Sequence, residues 1–344
     1  MEKKNKLGVA LVGLGKYATG ELIPSLQITQ NCYLAGLVSG SEEKKLKYQQ
    51  EFGLKDESLY SYDDFDRIAD NPDIDIVYVV LPNFMHAEYC IRAARAGKHV
   101  ICEKPLAMNV DECYRVAEAV RQANVRFSMG YRLHFDPFNQ EMMRLGQKEV
   151  FGPVKKLELL DSMDIGTETP WRVDRERAGG GPLVNNGIYC IQAAIYITGK
   201  LPVAVEARFA PVTNPDRFSE VEEGVIWTMF FEDGVTAHCE TSYSKNQNLM
   251  RAEGSEGWFE LNPAYEYKGL VGRTSSGAMD IEPVKQQARQ MDDFARCIIE
   301  NTETRVPIEM GIRDMQIIEA VYASARAGDR VELHLEAFEN LPEY

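Results

Sequence analysis

Leu7-Gly-Val-Ala-Leu-Val-Gly13-Leu-Gly15-Lys16-Tyr17-Ala18 decides the fold of this 344-residue chain. Leu7 to Gly13 is apolar without alternation, the pattern of a strand buried on both faces of a parallel sheet. The strand then breaks into Gly13-x-Gly15-x-x-Ala18, and Glu21 to Gln27 follows as a helix around Pro24, or as a broken turn of one. Glycines at such a junction allow a tight turn and close backbone approach to a pyrophosphate, which sits on the helix N-terminus. A lone motif of this kind is weak. Its place between a strand and a helix, at the head of an alternating pattern, makes it a dinucleotide site that includes Lys16 and Tyr17.

The second strand, Tyr33 to Val38, ends in Ser39-Gly40-Ser41 and not in an acid. An Asp or Glu there would bind the ribose 2′-hydroxyl of NAD and repel a 2′-phosphate. Two serines followed by Lys44, Lys45 and Lys47 favour NADP over NAD, although Glu42 and Glu43 stand close by. A third strand, Ile74 to Leu81, stops at Pro82-Asn83. The spacing then predicts a helix over Met85 to Arg95, with Ala87, Ile91 and Ala94 inward and Gly97 as its cap.

The next strand starts at His99 and ends in Glu103-Lys104-Pro105, which delivers a lysine to the carboxyl edge of the sheet. In open α/β sheets that edge binds ligands. Pro105 biases Lys104 away from helical torsions and permits a cis bond. On this segment alone a solvated loop lysine is the simpler reading, and the upstream nucleotide pattern reverses it. A helix capped by Asn109 and Glu112 follows, with Cys113, Val116, Ala117 and Val120 inward, and then a strand over Val125 to Gly130. Residues 1–131 therefore read as a doubly wound parallel sheet.

From 132 to 344 the pattern changes to a second domain, α+β with a large open-faced antiparallel sheet. Val154 to Met163, Val203 to Val212, Gly224 to Phe231 and Val235 to Tyr243 are strands, the last two joined by the hairpin signal Glu232-Asp233-Gly234. Residues 249 to 270 add one or two more around Trp258 and Phe259. A sheet of such strands leaves a face for a partner, which predicts a homodimer or homotetramer. Two helices finish the chain: Gln286 to Asn301, and Arg313 to Ala327 with Met315, Ile318, Tyr322 and Ala325 inward. The acidic tail after Val331 is expected to wrap or fray. Two segments carry chemistry. One is Tyr131-Arg132-Leu133-His134-Phe135-Asp136-Pro137-Phe138-Asn139. The other is Trp171-Arg172, leading through Ala178-Gly179-Gly180-Gly181 to a helical stretch at Asn185-Asn186-Gly187-Ile188-Tyr189. By itself Tyr189 reads as a packed aromatic.

Net charge of −15 argues against nucleic acid and anionic membranes as partners. No apolar run approaches the ~20 residues that span a bilayer, and the N-terminus lacks the pattern of a signal peptide. Seven scattered cysteines without a Cys-x-x-Cys pair suggest reduced core thiols and a cytoplasmic protein, and five scattered histidines predict no metal site.

Taken together, Gly13-x-Gly15-x-x-Ala18, Glu103-Lys104-Pro105, the triple glycine and Gly187-x-Tyr189 resemble the glucose–fructose oxidoreductase, inositol dehydrogenase and related sugar dehydrogenase family over essentially the whole chain. Leu37-Val-Ser39-Gly40 with Lys44, Leu81-Pro82-Asn83 with His86-Ala87-Glu88, and the segments around Arg132 and Arg172 resemble its glucose–fructose oxidoreductase branch most. The resemblance implies a sugar or cyclic polyol as substrate and NADP as cofactor. It places Ser39, Lys44 and Tyr62 at the ribose phosphate. The remaining cofactor contacts would come from Gly40, Leu81, Pro82, Asn83, His86, Glu103, Arg132, Trp171 and Arg172. It also implies Lys104 and Tyr189 as catalytic residues. Many relatives carry Asp-x-x-x-His where this chain has Asn185 and Tyr189, so Asn185 departs from the expected aspartate. A phenol is a poor base at neutral pH, and a nearby ammonium favours its phenolate. Lys104 would be that cation and Tyr189 the acid/base. Asn185 would orient a sugar hydroxyl, and Arg132, His134 and Arg172 would contact others. Cofactor retained between two half-reactions is one expected regime and ordinary dehydrogenase exchange the other. An inositol- or dihydrodiol-type dehydrogenase and a non-catalytic NADP-binding sensor are the alternatives.

Overall fold

The computed structural model describes residues 5–167 and 170–335. The chain forms two compact units, one running to Phe135 and including Lys285–Gly311, the other comprising Asp136–Val284 and the chain from Ile312 onward. The division drawn from sequence at residue 131 has no counterpart for the returning segment.

In the first unit, β1 (Leu7–Val12), β2 (Cys32–Val38), β3 (Leu59–Tyr60), β4 (Ile76–Val79), β5 (His99–Cys102) and β6 (Phe127–Met129) form one sheet in the order β3-β2-β1-β4-β5-β6. Every pair is parallel. The order reverses between β1 and β4, and at such a point the loops beyond the strand ends diverge and leave a crevice. β3 is two residues long, too short for any periodicity to announce it, so the expected third strand is the fourth. β1 is buried along its whole length, as its unbroken apolar run requires. Met291, Phe294 and Ala295 of the helix Gln286–Glu300 join the β1–β2 core. This is how the second segment comes to complete the first unit. The helix Val110–Ala123 has the predicted reciprocal cap, Asn109 accepting from Glu112 N and Glu112 accepting from Met108 N. It buries Ala119 where the spacing suggested Ala117.

The second unit is built on a nine-stranded sheet. It contains β7 (Val154–Ser162), β8 (Ala204–Phe209), β9 (Gly224–Phe230), β10 (Thr236–Ser242), β11 (Gln247–Gly254), β12 (Trp258–Leu261), β13 (Gly272–Thr274), β14 (Gly277–Ala278) and β15 (Val331–Glu332). All pairs are antiparallel except β7 with β10, so the sheet is mixed. Residues 249 to 270 hold two strands as expected, β11 and β12, and the short β13 and β14 follow beyond them. Val331 and Glu332 pair with Val205 and Ala204, and the tail beyond 335 lies outside the described residues. Leu157, Leu159, Trp227, Met229, Ala237 and Cys239 alternate onto one buried face, against which the apolar helix Ile188–Thr198 lies. That helix passes so close to the helix Pro137–Gln147 that a Cβ on Gly146 would sit 2.2 Å from Ile197 O. The opposite face carries Lys156, Glu158, His238 and the Arg251–Glu260 pair, polar and partly exposed. No helix among the described residues is long and apolar enough to cross a membrane.

Candidate active site

The phosphate turn comes first because the backbone itself explains it. Gly13 has φ +100°, and a Cβ there would lie 2.3 Å from Val80 O, so the β1 and β4 ends meet at a residue that must be glycine. Around Gly15 a Cβ would find nothing within 4 Å, which leaves an open cradle over the turn. Ala18 is buried and opens a π-helical turn over Ala18–Leu22, Lys16 is exposed, and Tyr17 packs partly against the sheet core.

Around the end of β2 the expected ribose-phosphate residues converge on that turn. Ser41 caps the helix Glu42–Phe52 with its side chain, and Ser39 Oγ accepts from Ser41 N at 3.1 Å. Lys44 Nζ donates to Leu14 O at 2.8 Å, so its ammonium spans from the β2 end to the glycine turn. Lys45 instead pairs with Glu42, and Lys47 lies over the Tyr48 ring. The Tyr62 ring flanks Gly40, close enough that a Cβ there would touch it at 3.6 Å.

At the ends of β4 and β5, buried side chains hold the Glu103-Lys104-Pro105 corner, whose Lys104–Pro105 peptide is cis. Glu103 Oε1 accepts from Tyr78 Oη at 2.8 Å, and Tyr78 Oη accepts from Gln290 Nε2 at 2.8 Å. Burial raises the Glu103 pKa against the opposing pull of Tyr78 and of the Lys104 and Arg132 charges. Arg132 is buried and donates to Gln286 Oε1. His86, expected at the cofactor, is buried between two loops, Nδ1 2.6 Å from Pro105 O and Nε2 2.9 Å from Leu81 O. Carbonyl oxygens only accept, so both contacts favour the imidazolium, whereas burial and the Lys104 charge push its pKa down. This side chain therefore ties Leu81-Pro82 to the lysine corner. His134 is buried too, its ring stacked 6.2 Å from that of Tyr131.

The second unit gathers the remaining candidates. The glycine run ends in a π-helical turn, Leu183–Gly187, which leads into the helix carrying Tyr189. Glu222 fixes its start, accepting from Gly181 N at 3.0 Å, Leu183 N at 3.2 Å and Tyr322 Oη at 2.8 Å. Asn185 Nδ2 donates to Asn186 Oδ1 at 2.8 Å, and Asn186 Nδ2 donates to Asp161 Oδ1 at 3.2 Å. Tyr243 is buried. That burial raises its pKa well above the phenol range, against the Arg172 charge and a hydrogen bond with Asn185, so Arg172, Tyr243 and Asn185 are neighbours. The Arg172 guanidinium also lies 4.6 Å from the Trp171 ring centroid. Tyr189 is buried, its ring 6.2 Å from that of Tyr265.

Sequence reasoning passed over Asp161, Asn186, Glu222 and Tyr243 in this unit, and Tyr78, Gln286 and Gln290 in the first. Asp161 did leave a signal: it shares the inward parity of Leu157 and Leu159, where a carboxylate is out of place. Among the described residues no cluster of His, Cys, Asp and Glu could hold a metal ion.

Residues 7–131 match an oxidoreductase family with an NAD-binding Rossmann fold, and residues 140–260 match the GFO/IDH/MocA C-terminal domain. An aldose–aldose oxidoreductase from Caulobacter crescentus, solved with glycerol, is 40% identical and superposes with a TM-score of 0.93, covering 95% of this chain and 100% of that one. The NADP-dependent D-xylose 1-dehydrogenase of Haloarcula marismortui is 25% identical across 96% of this chain and 94% of its own length. D-glucoside 3-dehydrogenase of Escherichia coli is 26% identical across 95% and 97%.

Proposed function

The chain belongs to the GFO/IDH/MocA oxidoreductase family, and on that premise we propose that it is an NADP-dependent enzyme moving hydride between a sugar or cyclic-polyol carbon and the nicotinamide. Its oxidoreductase action on sugar hydroxyls follows the full-length likeness to the aldose–aldose oxidoreductase and to the xylose and glucoside dehydrogenases. The observation that carries the choice of NADP is Lys44 on Leu14 O, an ammonium between the β2 end and the phosphate turn with no carboxylate at the strand end. A 2′-phosphate placed there meets a cation and the Ser39-Gly40-Ser41 backbone, with the Tyr62 ring beside it.

The open cradle at Gly15 and the obligatory glycine at 13 fit a dinucleotide pyrophosphate. NADP, when bound, supplies the hydride acceptor. Tyr189 takes the proton of the reacting hydroxyl, and Lys104 contributes a positive charge just beyond the end of β5. In the reverse direction Tyr189 returns that proton to the reduced carbonyl oxygen. Asn185 cannot exchange a proton and orients a substrate hydroxyl instead. Arg132 and Arg172 serve as fixed charges. A second copy of the chain covers the open sheet face, giving a homodimer or homotetramer.

The test is a spectrophotometric screen of NADP and NAD against aldoses, ketoses, inositols and vicinal diols. Turnover of an aldose with NADP preferred is the expected result. Turnover restricted to inositols or diols would replace the substrate class, and an NAD preference would overturn the role given to Lys44. Gel filtration of the loaded protein separates the two cofactor regimes. NADPH that travels with the protein and is oxidised by a second sugar marks sugar–sugar transfer, and NADPH lost on the column marks an ordinary dehydrogenase.

A further inference from the structure

Asp161 stands in the second unit where strand parity calls for an apolar residue, and it is 4% exposed. It is the terminus of a chain of side chains: Asp161 Oδ1 accepts from Asn186 Nδ2 at 3.2 Å, and Asn186 Oδ1 accepts from Asn185 Nδ2 at 2.8 Å. An amide can present either end to a neighbour, but an ionised carboxylate only accepts. Asp161 therefore forces Asn186 to turn its nitrogen inward. Asn186 must then offer its oxygen outward, and Asn185 must meet it with nitrogen. One buried charge thus sets the polarity of two amides. Thr241 fastens the same arrangement, its Oγ1 lying 2.7 Å from Asp161 O and 3.3 Å from Pro182 O, which ties β7 and β10 to the start of the π-helical turn. The Asp161 charge also reaches Cys190 and Tyr265, the latter packed against the Tyr189 ring.

We propose that Asp161 and Asn186 are positioning residues for the substrate, a relay that holds the Asn185 amide in one orientation so that its carbonyl end accepts from a sugar hydroxyl. The proposal rests on the sugar-oxidoreductase reading and deepens it. It gives the carboxylate expected at position 185 a physical substitute: the charge is drawn back onto β7 and acts through two amides. A neutral acceptor at position 185 selects a ring hydroxyl over a keto oxygen or a deoxy carbon at the same place, because neither of those can donate.

The test is a double-mutant cycle with Asp161→Asn and Asn186→Leu, read as KM and kcat for D-glucose and D-xylose with NADP. Asn186→Leu cuts the relay between intact ends. Each single variant is expected to raise the sugar KM about 3- to 10-fold, the scale of one lost neutral hydrogen bond. Both should leave kcat within ~3-fold and the NADP Kd unchanged, as expected for lost substrate binding alone. The double variant should match Asn186→Leu in KM while recovering part of its lost Tm, since the unpaired buried charge is gone. Multiplying KM effects, or single variants whose KM equals the parent's, would overturn the relay. Selective 15N labelling of asparagine side chains makes the test independent of turnover. Two slowly exchanging amide groups that become fast in Asp161→Asn are expected. If neither sugar reacts but those signals behave as stated, the substrate reading fails and the relay stands; fast exchange in the parent removes the relay itself.

Discussion

The phosphate turn of the first unit and the tyrosine turn of the second are held by opposite means. Around the phosphate turn the backbone does most of the positioning, and at Glu103-Lys104-Pro105 backbone carbonyls share it with the buried His86, Glu103 and Tyr78 side chains. Gly13 lies in the positive-φ region against Val80 O, and carbonyls of Leu14, Leu81 and Pro105 accept from Lys44 and face His86. Around Asn185 and Tyr189 carboxylates do it, half-buried Glu222 on the backbone N–H groups of Gly181 and Leu183 and buried Asp161 on Asn186. A backbone that must come close to a ligand restricts residue type at fixed spacing and so leaves a motif. A carboxylate reaching a helix start from a distant part of the chain restricts nothing nearby and leaves none.

The contrast is broken most severely at the tyrosine. Tyr189→Phe should lower kcat by ~10²-fold or more, the scale of general acid–base catalysis, with NADP(H) affinity retained because the first unit is untouched. Parent-like turnover would move proton transfer to another group. Gly13→Ala comes next and reports on the other unit. Its Cβ would meet Val80 O at 2.3 Å at φ +100°, a strain of about 1–3 kcal/mol. The NADP Kd should rise ~10-fold or more, and calorimetry should show a lower Tm. An NADP Kd equal to the parent's would mean that the turn need not be this tight.

Lys44→Ala should be milder and more selective. Losing a charge-assisted contact costs about tenfold in NADP affinity, while NAD, with no 2′-phosphate to meet the ammonium, should bind as before. Equal losses for both cofactors would assign Lys44 to holding the Leu14 carbonyl alone. The same residue shows how far the sequence reaches. Three lysines follow Ser41, and spacing alone does not distinguish Lys44, on Leu14 O, from Lys45 on Glu42 or Lys47 on Tyr48. The six parallel strands and the glycine turn were legible because burial on both faces leaves unbroken apolar runs, apart from the two-residue β3. The helix Gln286–Glu300 was legible as a helix, yet its pattern does not say which sheet it covers. Its buried Gln286 and Gln290 look like a solvated face until they are found serving Arg132 and Tyr78. Asp161 was legible only as a violation of strand parity.

The smallest effect tests whether carboxylates carry the second unit's loops generally. Glu223, 3% exposed, accepts from Thr213 N and Oγ1 and from Asn214 N. Burial pushes its pKa up, but the hydrogen bonds from Thr213, Ser244 and Asn214 outweigh it and hold the carboxyl below its ordinary 4.5. A depressed folded pKa means a stabilising contribution that is complete above 4.5 and disappears as pH falls through the lower folded value. Glu223→Gln keeps one acceptor oxygen and turns an NH2 toward backbone N–H donors. It should cost about 1 kcal/mol at neutral pH, or ~2–4 °C in Tm. Thermal melts of parent and variant should converge below pH 4.5, where the parent carboxyl takes up its proton and loses the same advantage. A gap that stays constant into acid would mean that shape and not charge secures this loop. Loop anchoring by carboxylates would then be a property of the Asn185 turn alone.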